Sequence, residues 1–263
     1  MSFYPERHHP VFFLIDALQA IGVRADFARD ERTLGCWGMV FPDFDNRVLV
    51  YLIDNRLPHE QVKEDPAAVE LLLTTDAIVC HAQKPDAERR GGHWLPLAAS
   101  PGFENTPMLK SHDVAMVGFV RDEGRARLLA TVGAKFELNL QQGVFGRQAT
   151  ETYCTARVGL NIVSHYGQPY AYDSANMRLF EILMCGIPLV TPYQPYLEEL
   201  GLIDRVNYVA YHDEGDLCEA VQFALDNPHI SRAGWELAKK RHTYAHRAET
   251  IKMQLEGDAR YDG

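Results

Sequence analysis

The densest run of residues able to do chemistry lies at 172–188, YDSANMRLFEILMCGIP. Ser174 is a good N-cap, and residues 176–185 space their apolar side chains as an amphipathic helix. Gly186 and Pro188 then stop that helix and turn the chain into a following strand. The start of such a helix presents free backbone N–H groups at the positive end of its dipole, which suits a phosphate or diphosphate. Asp173 sits at the mouth of the helix and Glu181 lies inside it. Two readings of this pair stand side by side. In one, Asp173 favours the dipole and Glu181 is a solvated helix residue; in the other, both carboxylates face a ligand held at the helix start.

The chain that must position this helix has 263 residues, 46% hydrophobic and 24% charged, so one large or two small domains are expected. With 26 basic and 36 acidic side chains the formal net charge is −10. That excludes an overall basic surface built for nucleic acid, while a local basic groove stays compatible with it. The cysteines at 36, 80, 154, 185 and 218 include no C-x-x-C pair, which argues against a disulfide framework or structural zinc and for a reduced, cytoplasmic setting. The opening MSFYPERHHP lacks the apolar core of a signal peptide, and His8 and His9 have no partner at metal-ligand spacing. The longest apolar runs fall far short of the roughly 20 residues a membrane span needs.

Helical spacing over 11–21, stopped by Gly22, predicts a first helix. Short β-like runs follow at 39–41, 47–53 and 76–80, separated by polar or helix-like segments such as 66–73, and this alternation predicts an α/β layer with parallel strands. The Pro- and Gly-rich run 99–111, ASPGFENTPMLKS, is the candidate linker. Beyond it the pattern restarts: strand 113–117, Gly118, helix 124–131, strand 135–140, helix 151–155, strand 158–163, helix 176–185, strand 187–191, and helices 217–226 and 231–242. The expected architecture is α/β, with two Rossmann-like domains and a cleft between them at the carboxyl ends of the strands. Their bounds are read as 1–108 and 109–245, with a C-terminal helix in 246–263 crossing back to the first.

The runs ARVGLNIVSHYG, NMRLFEILMCGIPLVTPY, LEELG and RHTYAHR, with YLIDN, HWLPLAASP and DVAMVG upstream, resemble group 1 glycosyltransferases of the CgeB spore-maturation type. Those are similar to the larger GT-B nucleotide-sugar transferases. The resemblance covers about residues 40–250, and its specific part is the block around 176–188. The first half looks abbreviated beside that family, because a helix at 11–21 stands where a strand and glycine-rich turn would open the domain.

The resemblance implies transfer of a sugar from a nucleoside diphosphate sugar to a hydroxyl acceptor. No metal or bound cofactor is expected, and retention of anomeric configuration is suggested by an acid, seven residues, then Glu. Here that pattern reads Asp173 to Glu181, with Asp in place of the more usual Glu. It further implies that Glu181 binds the donor ribose, while Asp173, Ser174 and Asn176 face the sugar and diphosphate. Such chemistry calls for fixed cations near the leaving group, and Arg178, Arg121 and Arg125 are the candidates, the last two following Gly118 at a strand end. Gly143 and Gly146, in QGVFG, either let backbone approach the nucleotide base or are plain turn residues. For the catalytic base or acceptor-binding group the candidates are Asp54 and His81 at strand ends, with His93 and His165 as alternatives; a turn or core role for His81 stands beside this. Trp235 and Tyr244 read as packing residues. Two other functions remain open: a catalytically idle nucleotide-binding scaffold, and a transferase whose acceptor is a hydroxylated DNA base, nucleic acid entering only in that role.

Overall fold

The computed structural model describes residues 10–29, 36–44, 47–52, 78–82, 84, 87, 88, 92–120, 122–163 and 175–257. The expectations for Asp54, Arg121, His165, Asp173, Ser174 and the helix-like segment 66–73 lie outside these residues. The strands are β1 (Asp26–Arg29), β2 (Cys36–Phe41), β3 (Arg47–Leu52), β4 (Ile78–His81), β5 (His93–Trp94), β6 (His112–Val117), β7 (Leu138–Gln141), β8 (Ala156–Leu160), β9 (Leu189–Pro192) and β10 (Val209–Tyr211). The helices are α1 (Pro10–Ala20), α2 (Glu123–Gly133), α3 (Gly146–Cys154), α4 (Met177–Met184), α5 (Leu217–Asp226), α6 (Ile230–Arg241) and α7 (Tyr244–Glu256). Among the described residues no helix is long and apolar enough to cross a membrane. The chain divides into two compact units, one of residues 1–97 with 244–262 and one of residues 98–243.

In the first unit the strands pair in chain order, β1-β2-β3-β4-β5. The layer expected to be parallel is mixed: β1, β2 and β3 pair antiparallel, and only β3, β4 and β5 are parallel. The reason is the link between β2 and β3, residues 42–46, which is too short for the crossover a parallel pair requires. Helices α1 and α7 pack against each other, with the rings of Phe13 and Tyr244 5.6 Å apart. Apolar Tyr244, Ala248, Ile251 and Leu255 recur at helical spacing along α7 and are buried. Arg247 ties α7 to the segment after β5, its Nε donating to the Pro96 carbonyl (2.7 Å) and its Nη2 to that of Leu97 (3.1 Å).

The second unit carries a five-stranded, wholly parallel sheet in the order β10-β9-β8-β6-β7. Counted within the unit this is 2-1-3-4-5 from the β7 edge, the doubly wound order whose direction of winding reverses between β6 and β8. Val114 and Met116 of β6, Val158 and Leu160 of β8, Leu128 and Val132 of α2, and Val221 and Ala224 of α5 close into one core. Helix α4 has eight residues, below the ~12–15 at which an isolated helix becomes even marginal. It is held by burying Leu179, Phe180, Ile182 and Leu183, each worth about 1.5–3 kcal/mol. β8 admits α4 closely because residue 159 is Gly; a Cβ there would overlap the Ile182 side chain. The strand expected over 158–163 leaves the sheet after Leu160, and Asn161, Ile162 and Val163 continue as buried loop. An apolar run entering a covered loop has the pattern of a strand that continues, hence the difference.

Candidate functional site

The carboxyl ends of β6 and β8 are neighbours at the point where the winding reverses, and the guanidinium of Arg178, from the first turn of α4, lies across them. Its Nε donates to the Val117 carbonyl (2.6 Å), and its Nη1 donates to Asn161 Oδ1 (2.9 Å) and the Ile162 carbonyl (3.4 Å). Nη2 lies against Gly118, where any Cβ would overlap it, and Gly118 also takes φ +151°. Glycine is therefore required at 118 on two counts, backbone conformation and the volume of the guanidinium. Val117 is gripped from the other side too: its N–H donates to the hydroxyl of Tyr153 (3.1 Å), a fully buried α3 residue whose ionisation burial pushes above the usual tyrosine range.

Asn161 organises the neighbourhood. Fully buried, it accepts at Oδ1 from Arg178 and from Asn176 Nδ2 (3.1 Å), and its Nδ2 donates to Thr191 Oγ1 (2.9 Å). Asn176 is the N-cap of α4, its Oδ1 accepting from the Leu179 N–H (3.3 Å). One buried amide thus fixes both the guanidinium and the cap, and its charge-assisted bond to Arg178 is of a kind worth about 1.5–3 kcal/mol. One turn further along α4, half-buried Glu181 accepts a short hydrogen bond from the Ser100 hydroxyl. Burial pushes the Glu181 carboxyl above the usual carboxylate range, against the pull of Ser100 and of the Arg178 charge.

Arg125, 4% exposed, donates from Nη1 to the Phe119 carbonyl and from Nη2 to the Ile162 carbonyl (2.7 Å), so its charge holds the loops after β6 and β8. Gly143 and Gly146 take φ +70° and +51° in the loop from β7 into α3. That loop is tied to the one after β6 by Gln142 Oε1, which accepts from the Val120 N–H (2.9 Å). His81 is buried at the carboxyl end of β4 in the first unit, where its carbonyl accepts from the Leu95 N–H (2.8 Å); His93 is exposed on β5. The structure therefore brings together Gly118, Asn176, Arg178 and Glu181, with Arg125 beside them. Asn161, Tyr153 and Ser100 were not singled out from sequence. The signal for Asn161 was present in VGLNIV: a polar side chain inside a buried apolar run must have partners. Among the described residues no group of three His, Cys, Asp or Glu side chains is placed to hold a metal ion.

A family model described as glycosyl transferase-like matches residues 116–253. No curated protein matches the chain by sequence. Among solved structures it is similar to AviGT4, a glycosyltransferase involved in avilamycin A biosynthesis, at 12% identity and a TM-score of 0.53 over 68% of this chain and 63% of that one. It is also similar to the sucrose-phosphate synthase of Thermosynechococcus elongatus, at 13% identity and a TM-score of 0.54 over 78% of this chain and 65% of that one. A third likeness is to TarM, at 9% identity and a TM-score of 0.50 over 67% of this chain and 43% of that one. The chain spans less than two thirds of the length of each, and these likenesses place its fold in the GT-B class.

Proposed function

The chain belongs to the glycosyl transferase-like family, and on that premise we propose that it moves a sugar from a nucleoside diphosphate sugar to a hydroxyl acceptor. The observation that carries the reading is the Arg178 guanidinium, pinned at the reversal point by three acceptors with Nη2 left toward the Gly118 turn. As the bond from the anomeric carbon to the diphosphate breaks, negative charge gathers on the departing oxygens. A cation already fixed in place meets that charge without reorganising solvent, and the positive end of the α4 dipole adds to it. Glu181 in its ionised form has a second oxygen beyond the one Ser100 engages, suited to accepting ribose hydroxyls.

In the same reading Asp173 and Ser174 face the sugar and diphosphate, Arg121 adds charge, and Gly143 and Gly146 let the 142–146 loop approach the base. Arg125 shapes that edge through the carbonyls it holds. Asp54 or His81 supplies the acceptor-side base. Transfer is metal-independent and retaining, of the CgeB type, and takes place in the cytoplasm. The test is to titrate the purified chain with UDP, GDP, ADP and dTDP, then with the matching sugars and an alcohol acceptor, with and without chelator. One nucleotide is expected to raise the Tm, and its sugar to be transferred equally with chelator present. No binding by any nucleotide, or binding unchanged in Arg178→Ala, overturns the proposal; binding without transfer to any acceptor favours the idle scaffold instead.

A further inference from the structure

Where β8 leaves the sheet, the last residue of β6 loses its neighbour. The register between the two strands runs through Ala115 and Gly159 and stops there, and β8 itself ends at Leu160. On the other side of β6, the Gly118 N–H donates to the Gln141 carbonyl (2.9 Å). Backbone polar groups of successive strand residues point to opposite sides, so Val117 turns both its N–H and its carbonyl toward the side that β8 has left. A partly buried pair of this kind must find partners elsewhere. The phenol oxygen of Tyr153 accepts from the Val117 N–H (3.1 Å), and Arg178 Nε donates to the Val117 carbonyl (2.6 Å). Side chains from α3 and α4 thus stand side by side in place of one missing strand residue.

Of the acceptors that hold the guanidinium, Asn161 Oδ1 is on a side chain and the Ile162 carbonyl is in the loop after β8; only the Val117 carbonyl belongs to a strand. Its position is that of the end of β6. Helix α3, packed on β6 and β8, fixes that end twice: through Tyr153 in its last turn, and through Gln142 just ahead of it, whose Oε1 accepts from the Val120 N–H (2.9 Å).

We propose that Tyr153 is a positioning residue for the candidate site: its hydroxyl fixes the end of β6 and, through the Val117 carbonyl, the guanidinium of Arg178. Its effect on transfer rests on the reading of Arg178 as the cation that meets the departing diphosphate. Fully buried, the hydroxyl acts through Arg178 and not on the ligand. Without it Asn161 and Ile162 still hold the guanidinium, so the loss is smaller than that of removing Arg178. A misplacement on the order of 1 Å costs up to about 10²-fold, and a loss of roughly tenfold is expected here.

The variant is Tyr153→Phe in the full chain, which removes one oxygen. Nitrogen-15 spectra without nucleotide follow the Arg178 Nε–H, assigned by its loss in Arg178→Ala. Its exchange with water is expected to be at least about tenfold faster in folded Tyr153→Phe. In the wild-type chain the Val117 amide is expected to exchange as slowly as that of Ala115. An unchanged Nε–H rate, or a wild-type Val117 amide that exchanges as freely as an exposed loop amide, overturns the proposal whether or not a nucleotide binds. In steady-state transfer, Tyr153→Phe is expected to lower kcat roughly tenfold with a smaller change in KM, and to lower it less than about twofold when added to Arg178→Ala. Equal losses in both backgrounds overturn the proposal, since a merely structural role adds to the loss of Arg178. A wild-type chain that binds no nucleotide fails the reading of Arg178 instead, and the exchange rates then decide whether Tyr153 positions it.

Discussion

Each unit has a five-stranded sheet, and each anchors an arginine on backbone carbonyls, but the two sheets are wound differently. In the first unit the described strands pair in chain order, so no neighbouring strand ends part in opposite directions. Arg247 there holds consecutive carbonyls, Pro96 and Leu97, of a single segment. In the second unit β6 stands out of order between β7 and β8. Arg178 joins carbonyls from both strand ends that meet there, Val117 and Ile162, beside the Asn161 amide that also holds the N-cap residue of α4. The lesson is that the same hydrogen bonds make a brace in one unit and a candidate anion site in the other, because strand order decides whether an opening lies beside the cation.

The sharpest way to break this comparison is Arg178→Ala, expected to lower transfer by about 10²–10³-fold, the usual loss when one preorganised charge-stabilising group is removed. Steady-state kinetics alongside a melting curve separate that loss from unfolding. Asn161→Leu comes next. It strips the lateral acceptor from Arg178 and leaves Asn176 and Thr191 short of a partner, so nucleotide affinity by calorimetry should weaken roughly tenfold, in line with about 1–3 kcal/mol per unpaired buried group.

Glu181→Gln acts on stability in a pH-dependent way. A carboxyl whose folded pKa is raised favours the fold while protonated and loses that contribution as pH rises through the raised value. The Gln variant should therefore melt above wild type at neutral pH and converge with it as pH falls toward the ordinary carboxylate range, while binding nucleotide more weakly throughout. A melting difference independent of pH would contradict this. The smallest expected effect on nucleotide binding is Arg247→Ala: affinity unchanged, with roughly 1–3 kcal/mol of stability lost in urea unfolding. Equal losses of affinity in Arg247→Ala and Arg178→Ala would erase the distinction between the two units.

Much of the second unit is legible in its apolar spacing. Residues 217, 220, 221, 224 and 225 mark one face of a helix, and α5 runs Leu217–Asp226 as expected. The helix of 176–185 is likewise where the pattern puts it, running Met177–Met184, but its N-cap is Asn176 and not the expected Ser174, because the Asn176 side chain accepts from the Leu179 N–H. Helix α3 begins at Gly146, well before the expected 151, because GRQA carries no apolar periodicity to announce its first turn. β1 is four residues beginning and ending on charge, DFAR, and its antiparallel partner supplies the order that its own pattern lacks. In the candidate site, Arg178 and Glu181 are legible from helix spacing and resemblance. Ser100 is not, since its bond to Glu181 joins residues 81 apart and no local pattern encodes it.

The division of the chain also sets an order of assembly during synthesis. Residues 98–243 form one uninterrupted stretch, and its ends meet in a bridge between Ala99 and Thr243, so that unit is complete once position 243 has emerged from the ribosome. The first unit, though begun earlier, waits for α7, and until then α1 keeps an apolar face of Val11, Phe13, Leu14 and Leu18 without its partner helix. Vectorial folding should therefore close the later-starting unit first, leaving that apolar face of α1 uncovered until α7 has been made.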